Sequence, residues 1–223
     1  MADVSGIAAN VAGIEARIAA ACTRVGRRPE EVTLVAVSKT QPAAAVDAAI
    51  AAGLTVVGEN KVQEARDKHP EVRGAARWHL IGHLQSNKAK DAVRLFDLIH
   101  TVDSLALAEK LARAAEGAGK RQDILLQVNV GGEEQKSGIA PEEAEALLRG
   151  VRGLESLQLR GLMTIPPALS PEETRPYFAQ LRGIRDTLGL EHLSMGMSED
   201  FEVAIEEGST IVRIGRAIFG ARG

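Results

Sequence analysis

Cysteine is almost missing from this sequence. Cys22 is the only one in 223 residues, so no disulfide can form within the chain, which fits a reducing cytoplasm. Aromatic residues are equally scarce at 3%, so a core has to be built from Ala, Val, Leu and Ile. A hydrophobic content of 45% is enough to supply one. An excess of charge is lacking too. The formal net charge of −3 leaves no basic footprint for nucleic acid or an anionic membrane surface. No apolar run approaches the roughly 20 residues that a membrane-spanning helix needs. The N-terminus lacks the basic segment and uninterrupted apolar core of a secretory signal. Linkers, low-complexity tracts and internal repeats are not seen either. The expectation is a cytoplasmic protein with neither a nucleic-acid nor a membrane partner.

What is present is regular alternation. Residues 3–25 read as one amphipathic helix, because Val4, Ile7, Val11, Ile14, Ile18, Cys22 and Val25 recur at spacings of three and four. Gly26 is its expected C-terminal stop, and Asp3 and Glu15 argue against an organelle presequence. Apolar strands are then predicted at 32–38, 54–57, 77–81, 96–102, 123–130, 157–163, 191–195 and 210–214, with Ala-rich helices between them. Pro42 suits the first position of one helix. Asn60 and Gln63 have capping-box spacing for the next, which should stop before Pro70. The polar stretch Gly131–Ala140 has no element of its own and suggests a mobile loop over a site. Eight β/α units in one run predict a parallel sheet closed into a single-domain (β/α)8 barrel over residues 1–223. Residues 1–26 then form an extra helix covering one end of it.

The most informative stretch is Val32–Thr40, where a strand suited to burial ends in Ser38-Lys39-Thr40. The carboxyl ends of barrel strands face the ligand site. A Lys placed there and partly desolvated has a lowered pKa and is a usable amine nucleophile toward an aldehyde. An outward-turned, solvated Lys39 is the plain alternative. The ends of the last two strands form the second stretch. Ser198 precedes Glu199 and Asp200 as a candidate N-cap of the helix reaching Glu207, and Gly215 permits close backbone approach to an anion. An empty Ser cap and Gly turn is the competing reading. His79 and His83 have i, i+4 spacing, but no carboxylate or Cys completes a metal set, so packing or loop roles are expected. Met195 and Met197 read as barrel packing, Glu133-Glu134 and Lys136 as a solvated loop. Glu172, Glu173, Arg175, Arg182, Arg185 and Asp186 read as the wet face of a helix.

Six segments carry a resemblance: Val-Ser-Lys-Thr-Gln-Pro (37–42), Gly-Glu-Asn (58–60), Trp-His-Leu-Ile-Gly-His-Leu-Gln-Ser-Asn-Lys (78–88), Gly-Leu-Met-Thr-Ile (161–165), Leu-Ser-Met-Gly-Met-Ser (193–198) and Val-Arg-Ile-Gly-Arg-Ala-Ile-Phe-Gly (212–220). Together, in order and over nearly the whole chain, they resemble the pyridoxal phosphate homeostasis protein family. The resemblance implies a barrel like the N-terminal domain of alanine racemase (fold type III), holding pyridoxal 5′-phosphate (PLP) as an imine. It places Lys39 at the imine-forming position, Ser198, Gly215 and Arg216 on the phosphate cradle, Arg213 at the pyridine nitrogen and Asn60 beside the ring. Position 216 is a small hydroxyl residue in some relatives, so with Arg216 the backbone N–H is the expected contact. A cationic Arg213 disfavours protonation of the ring and makes it a poorer electron sink. Arg213 in a salt bridge with Glu202, Glu206 or Glu207 is the alternative.

Three functions compete. The favoured one is a PLP carrier or regulator without robust turnover, working as a monomer and open to free amino acids and PLP-dependent apo-enzymes. The second is a PLP-dependent amino-acid racemase. Alanine racemases complete their site with a Tyr-bearing second domain, whereas this chain ends at Gly223 and its one Tyr, Tyr177, is expected at the start of an outer helix. The third is a Schiff-base aldolase, which would leave Arg213 unexplained.

Overall fold

The computed structural model describes Val4 and residues 6–220 of the chain. Eight strands form it: β1 (Thr33–Val37), β2 (Val56–Glu59), β3 (Arg77–Leu80), β4 (Leu98–Val102), β5 (Gln122–Gln127), β6 (Leu157–Met163), β7 (His192–Ser194) and β8 (Ile211–Ile214). Every neighbouring pair is parallel, and β8 closes onto β1 with Thr33 opposite Ile211 and Ala36 opposite Ile214. The expected (β/α)8 barrel is therefore the observed fold. Most strands stop one to three residues short of their expected ranges at an end, and β2 is shifted, running over Val56–Glu59 and not 54–57. β4 begins only at Leu98 because Asp97 is occupied as a bridge, accepting the Trp78 N–H at 2.7 Å. β5 stops at Gln127, beyond which only an isolated bridge joins Val128 to Ile139.

The helices are α1 (Ile7–Arg24), α2 (Ala43–Ala51), α3 (Val62–Lys68), α4 (Ala89–Leu95), α5 (Leu105–Gly117), α6 (Ala144–Arg152), α7 (Pro171–Leu188), α8 (Phe201–Glu206) and α9 (Arg216–Phe219). In α1 the residues Ile7, Val11, Ile14, Ile18 and Cys22 are buried, whereas Val4 and Val25 lie beyond its ends and are exposed. Residue 3, the expected start, and Gly223 lie outside the described residues. Gly26 takes the left-handed conformation a helix stop requires, with φ 67°. The buried face of α1 packs with Ala36, Val212, Ile214, Phe201 and Ile218, so the helix covers the barrel on its flank, at the β1/β8 seam. Arg17–Glu202 and Arg24–Glu206 ion pairs tie it to α8. Inside the barrel, Val35, Val56, Leu98, Leu125, Met163 and Ile211 form an apolar layer. No helix among the described residues is long and apolar enough to cross a membrane.

Candidate functional site

Lys39 lies two residues beyond the end of β1 and is half-buried at the carboxyl end of the barrel. Its neighbour Ser38 is fully buried and donates its amide to Gly58 O at 3.0 Å. Ser38 Oγ donates to Glu59 Oε1 at 2.6 Å, and that oxygen also accepts from Lys68 Nζ at 2.5 Å. Burial pushes the Glu59 carboxyl above its usual range, with Lys68 and Ser38 pulling the other way. Its second oxygen, Oε2, is buried without a partner.

Arg213 is a buried charged residue of the barrel interior. Its guanidinium donates to Ser194 Oγ at 2.6 Å and to Thr164 O at 2.8 Å. Both acceptors are neutral, and burial lowers its pKa to about 10 while Asp200 opposes the shift. Five N–H donors against two acceptors leave the group with unused hydrogen-bonding capacity. The expected competitors, Glu202, Glu206 and Glu207, pair instead with Arg17, Arg24, Arg175 and Arg182 on the outside. The salt-bridge alternative for Arg213 is thus ruled out by position.

Behind Arg213 runs a chain of buried side chains. Ser194 Oγ lies 2.8 Å from His100 Nδ1, and His100 Nε2 lies 3.0 Å from His79 Nδ1. Burial first, and then neighbouring cations, lowers the His79 pKa to about 3 and that of His100 well below its ordinary value. Both rings are therefore neutral near pH 7. Arg213 can only donate, so assigning Ser194 O–H to His100 Nδ1 and His100 Nε2–H to His79 Nδ1 satisfies every hydrogen except that on His79 Nε2. The reverse assignment strands both the Ser194 hydroxyl hydrogen and a His79 lone pair.

The residues expected to hold an anion come together at the ends of β7 and β8. Gly196, at φ 94°, hands its carbonyl to the Arg213 N–H at 3.0 Å. A Cβ there would lie 2.6 Å from Ala204 Cβ. Gly215 packs on the end of β1, where an added Cβ would meet Val37 O at 3.1 Å. This contact brings the turn after β8 against the strand that leads to Lys39. Ser198 is half-buried in the turn before α8, but it is not the N-cap. Asp200 takes that place, and its carboxylate accepts the Met197 N–H at 2.7 Å, which delays the helix to Phe201. Among the described residues the amides of Ser198, Glu199 and Arg216 and the Ser198 hydroxyl have no hydrogen-bond partner. The Arg216 guanidinium is turned to Glu199 in an exposed ion pair.

Other expectations shift in detail. Pro42 is the N-cap of α2 and not its first residue. The Asn60–Gln63 capping box does not form, since α3 starts at Val62 with Lys61 at its N-cap. Asn60 is fixed by tertiary packing instead: Gly82 approaches so closely that a Cβ would sit 2.2 Å from Asn60 O. Its Oδ1 is buried and unpartnered, at the end of β2. His83 is exposed, while His79 belongs to the buried chain. The 131–140 segment is stitched down by Gln127 to Ser137 O, Asn129 to Glu133 O and Lys136 to Pro166 O. Tyr177 sits in the second turn of α7, half-buried on the outside of the barrel. Sequence reasoning missed Ser194, His100, Thr164, Glu59 and Lys68. Only a polar residue in an otherwise apolar strand could have flagged the first two.

A closed eight-stranded parallel barrel, with a Lys just past β1 and an Arg inside β8, defines the class. Residues 10–223 match the family described as alanine racemase, N-terminal domain. The Pseudomonas aeruginosa protein named pyridoxal phosphate homeostasis protein is 48% identical over 223 residues, covering 98% of this chain and 97% of the relative. The chain belongs to the pyridoxal phosphate homeostasis protein family. Among solved structures, an unknown protein from Bifidobacterium adolescentis superposes with a TM-score of 0.91 at 38% identity, covering 97% of this chain and 95% of that one. PipY of Synechococcus elongatus, solved with PLP bound, gives 0.81 at 43% identity, covering 91% and 100%.

Proposed function

We propose that this protein binds PLP, joined as a Schiff base to Lys39, and acts in PLP homeostasis as a carrier or regulator without robust turnover. The observation that carries the reading is the packing of Gly215 on Val37, which sets the turn after β8 beside the strand leading to Lys39. The residues present fit the group. Arg213 has donors to spare inside the barrel, Asn60 Oδ1 is buried and unmatched, and the amides of Ser198, Glu199 and Arg216 await an acceptor. In this reading Ser198 and the amides around Gly215 and Arg216 hold the phosphate, Arg213 faces the ring nitrogen, and Asn60 flanks the ring. Bound PLP supplies an electron sink whose strength depends on protonation of its ring nitrogen. Arg213, a buried cation without a contacting carboxylate, opposes that protonation.

Residues 1–223 then make up one PLP-binding domain, working as a monomer in the cytoplasm. Free amino acids and PLP-dependent apo-enzymes are the expected exchange partners. A barrel with no unpaired strand edge gives no sheet-mediated reason to self-associate. A racemase needs an acid–base group on each face of the α-carbon, and Tyr177 is on an outer helix. Mixing the protein with PLP should give a yellow species that borohydride fixes on Lys39, identified by peptide mass spectrometry. Lys39→Ala should lose the adduct yet keep weak, phosphate-dependent binding. An adduct on another lysine, with Lys39 unmodified, refutes the assignment.

A further inference from the structure

Thr40 is the one non-glycine residue among the described residues with a positive φ, 65°. A β-branched side chain is crowded there, and such a conformation persists only where the surroundings hold it. Two hydrogen bonds do so. The Thr40 amide donates to Glu64 Oε1 at 2.5 Å, and the Gln41 amide donates to Ser38 O at 2.9 Å, closing a turn around Lys39. The same Glu64 oxygen accepts from Lys68 Nζ at 3.0 Å. Lys68 is buried, and its ammonium also donates to Ser38 O at 2.7 Å and to Glu59 Oε1. Both neighbours of Lys39 are therefore tied to one ammonium group, Ser38 directly and Thr40 through Glu64. Taking a lysine out of water is costly unless its charge and donors are met. Here all three contacts converge on the turn that carries Lys39.

We propose that Glu64 and Lys68 are positioning residues for Lys39: they clamp the strained Thr40 turn and so fix the direction in which Lys39 leaves the backbone. The proposal rests on reading Lys39 as the amine that takes up PLP. Strain and support should be separable. Glu64→Ala removes the support, Glu64→Gln keeps an acceptor oxygen for the Thr40 amide, and Thr40→Gly removes the strain because glycine takes this conformation freely.

The wild type, these three variants and the Glu64→Ala/Thr40→Gly double variant are mixed with PLP. The rate of Lys39 modification is followed by absorbance and borohydride trapping. Amide exchange over residues 38–41 is measured on the same proteins without PLP. Glu64→Ala should slow modification about tenfold and speed exchange of the Gln41 amide. Glu64→Gln should stay close to wild type, and the double variant should recover most of the lost rate. General destabilisation would slow the double variant as much as Glu64→Ala, and that result overturns the proposal. So does a Glu64→Ala protein with unchanged rate or unchanged exchange. If the wild type itself forms no adduct on Lys39 while exchange responds to Glu64→Ala, the clamp exists. The reading of Lys39, and with it the positioning role, then falls.

Discussion

Ser198 shows how little of a residue's role its sequence neighbours decide. The hydroxyl that local spacing assigns to a helix cap is released because Asp200 caps the turn instead. It is left half-buried beside the amides of Glu199 and Arg216, which have no acceptor among the described residues. Ser198→Ala should therefore cost binding rather than folding: PLP affinity should drop by about 0.5–1.5 kcal/mol, or up to about 3 kcal/mol if the partner is charged. Thermal stability should stay close to wild type. Titration with PLP and with pyridoxal checks this, since pyridoxal has no phosphate and should bind much more weakly. Equal affinity for the two would remove the cradle. Lys39 and Arg213 were legible in the sequence because each ends or interrupts an apolar strand within a recognisable motif. Ser194, His100 and Glu59 were not, because their partners come from other strands and meet only on closure. Asn60 misled for the related reason that a contact with Gly82 overrides its local capping signal.

At the scale of elements, the barrel interior is divided. Val35, Val56, Leu98, Leu125, Met163 and Ile211 make its apolar layer, while β3, β4, β7 and β8 also contribute the polar chain of His79, His100, Ser194 and Arg213. The two histidines are buried neutral, and this has a definite pH signature. An unfolded histidine binds a proton near pH 6.5, whereas folded His79 does so only near pH 3. Over that window the unfolded chain binds more protons, so stability is fully present above about pH 6.5 and is lost as pH falls toward 3. Urea midpoints at pH 7.5 and pH 5 should show the drop, and ¹⁵N NMR of the histidine rings at pH 5 should find His79 and His100 neutral with the hydrogen on Nε2. An imidazolium signal from either ring at that pH contradicts the chain of hydrogen bonds. None of this was visible in the sequence, where His79 reads as a packing or loop residue and nothing links it to His100.

For the molecule as a whole, the expected behaviour is exchange without turnover. The open end of the barrel leaves Lys39 half-buried rather than sealed, so amines can reach it. The single tyrosine, Tyr177, lies on the outer helix α7, and on the proposed reading Arg213 would weaken the electron sink. Adding L-alanine to the PLP-loaded protein should change its absorbance, while the α-proton signal in D₂O should persist, with exchange slower than about 1 s⁻¹. Rapid loss of that signal, abolished by Lys39→Ala, would favour the racemase. The architecture itself was nearly all legible, because eight apolar runs separated by amphipathic helices admit few arrangements. The side chosen by α1 was not, since its apolar stripe says that it packs but not on what.

The closure of β8 onto β1 also sets a schedule. Lys39 lies just past the first strand made and Arg213 in the last, roughly 170 residues later, and a ribosome adding about 5–20 residues per second needs many seconds to join them. Through that interval the strand leading to Lys39 has no β8 to pair with, and Gly215 is not yet made. On the proposed reading, the nascent chain would carry its amine before the full set of groups that select a phosphorylated partner. That selectivity would be acquired in a single late event, when the final strand leaves the exit tunnel and the ring shuts.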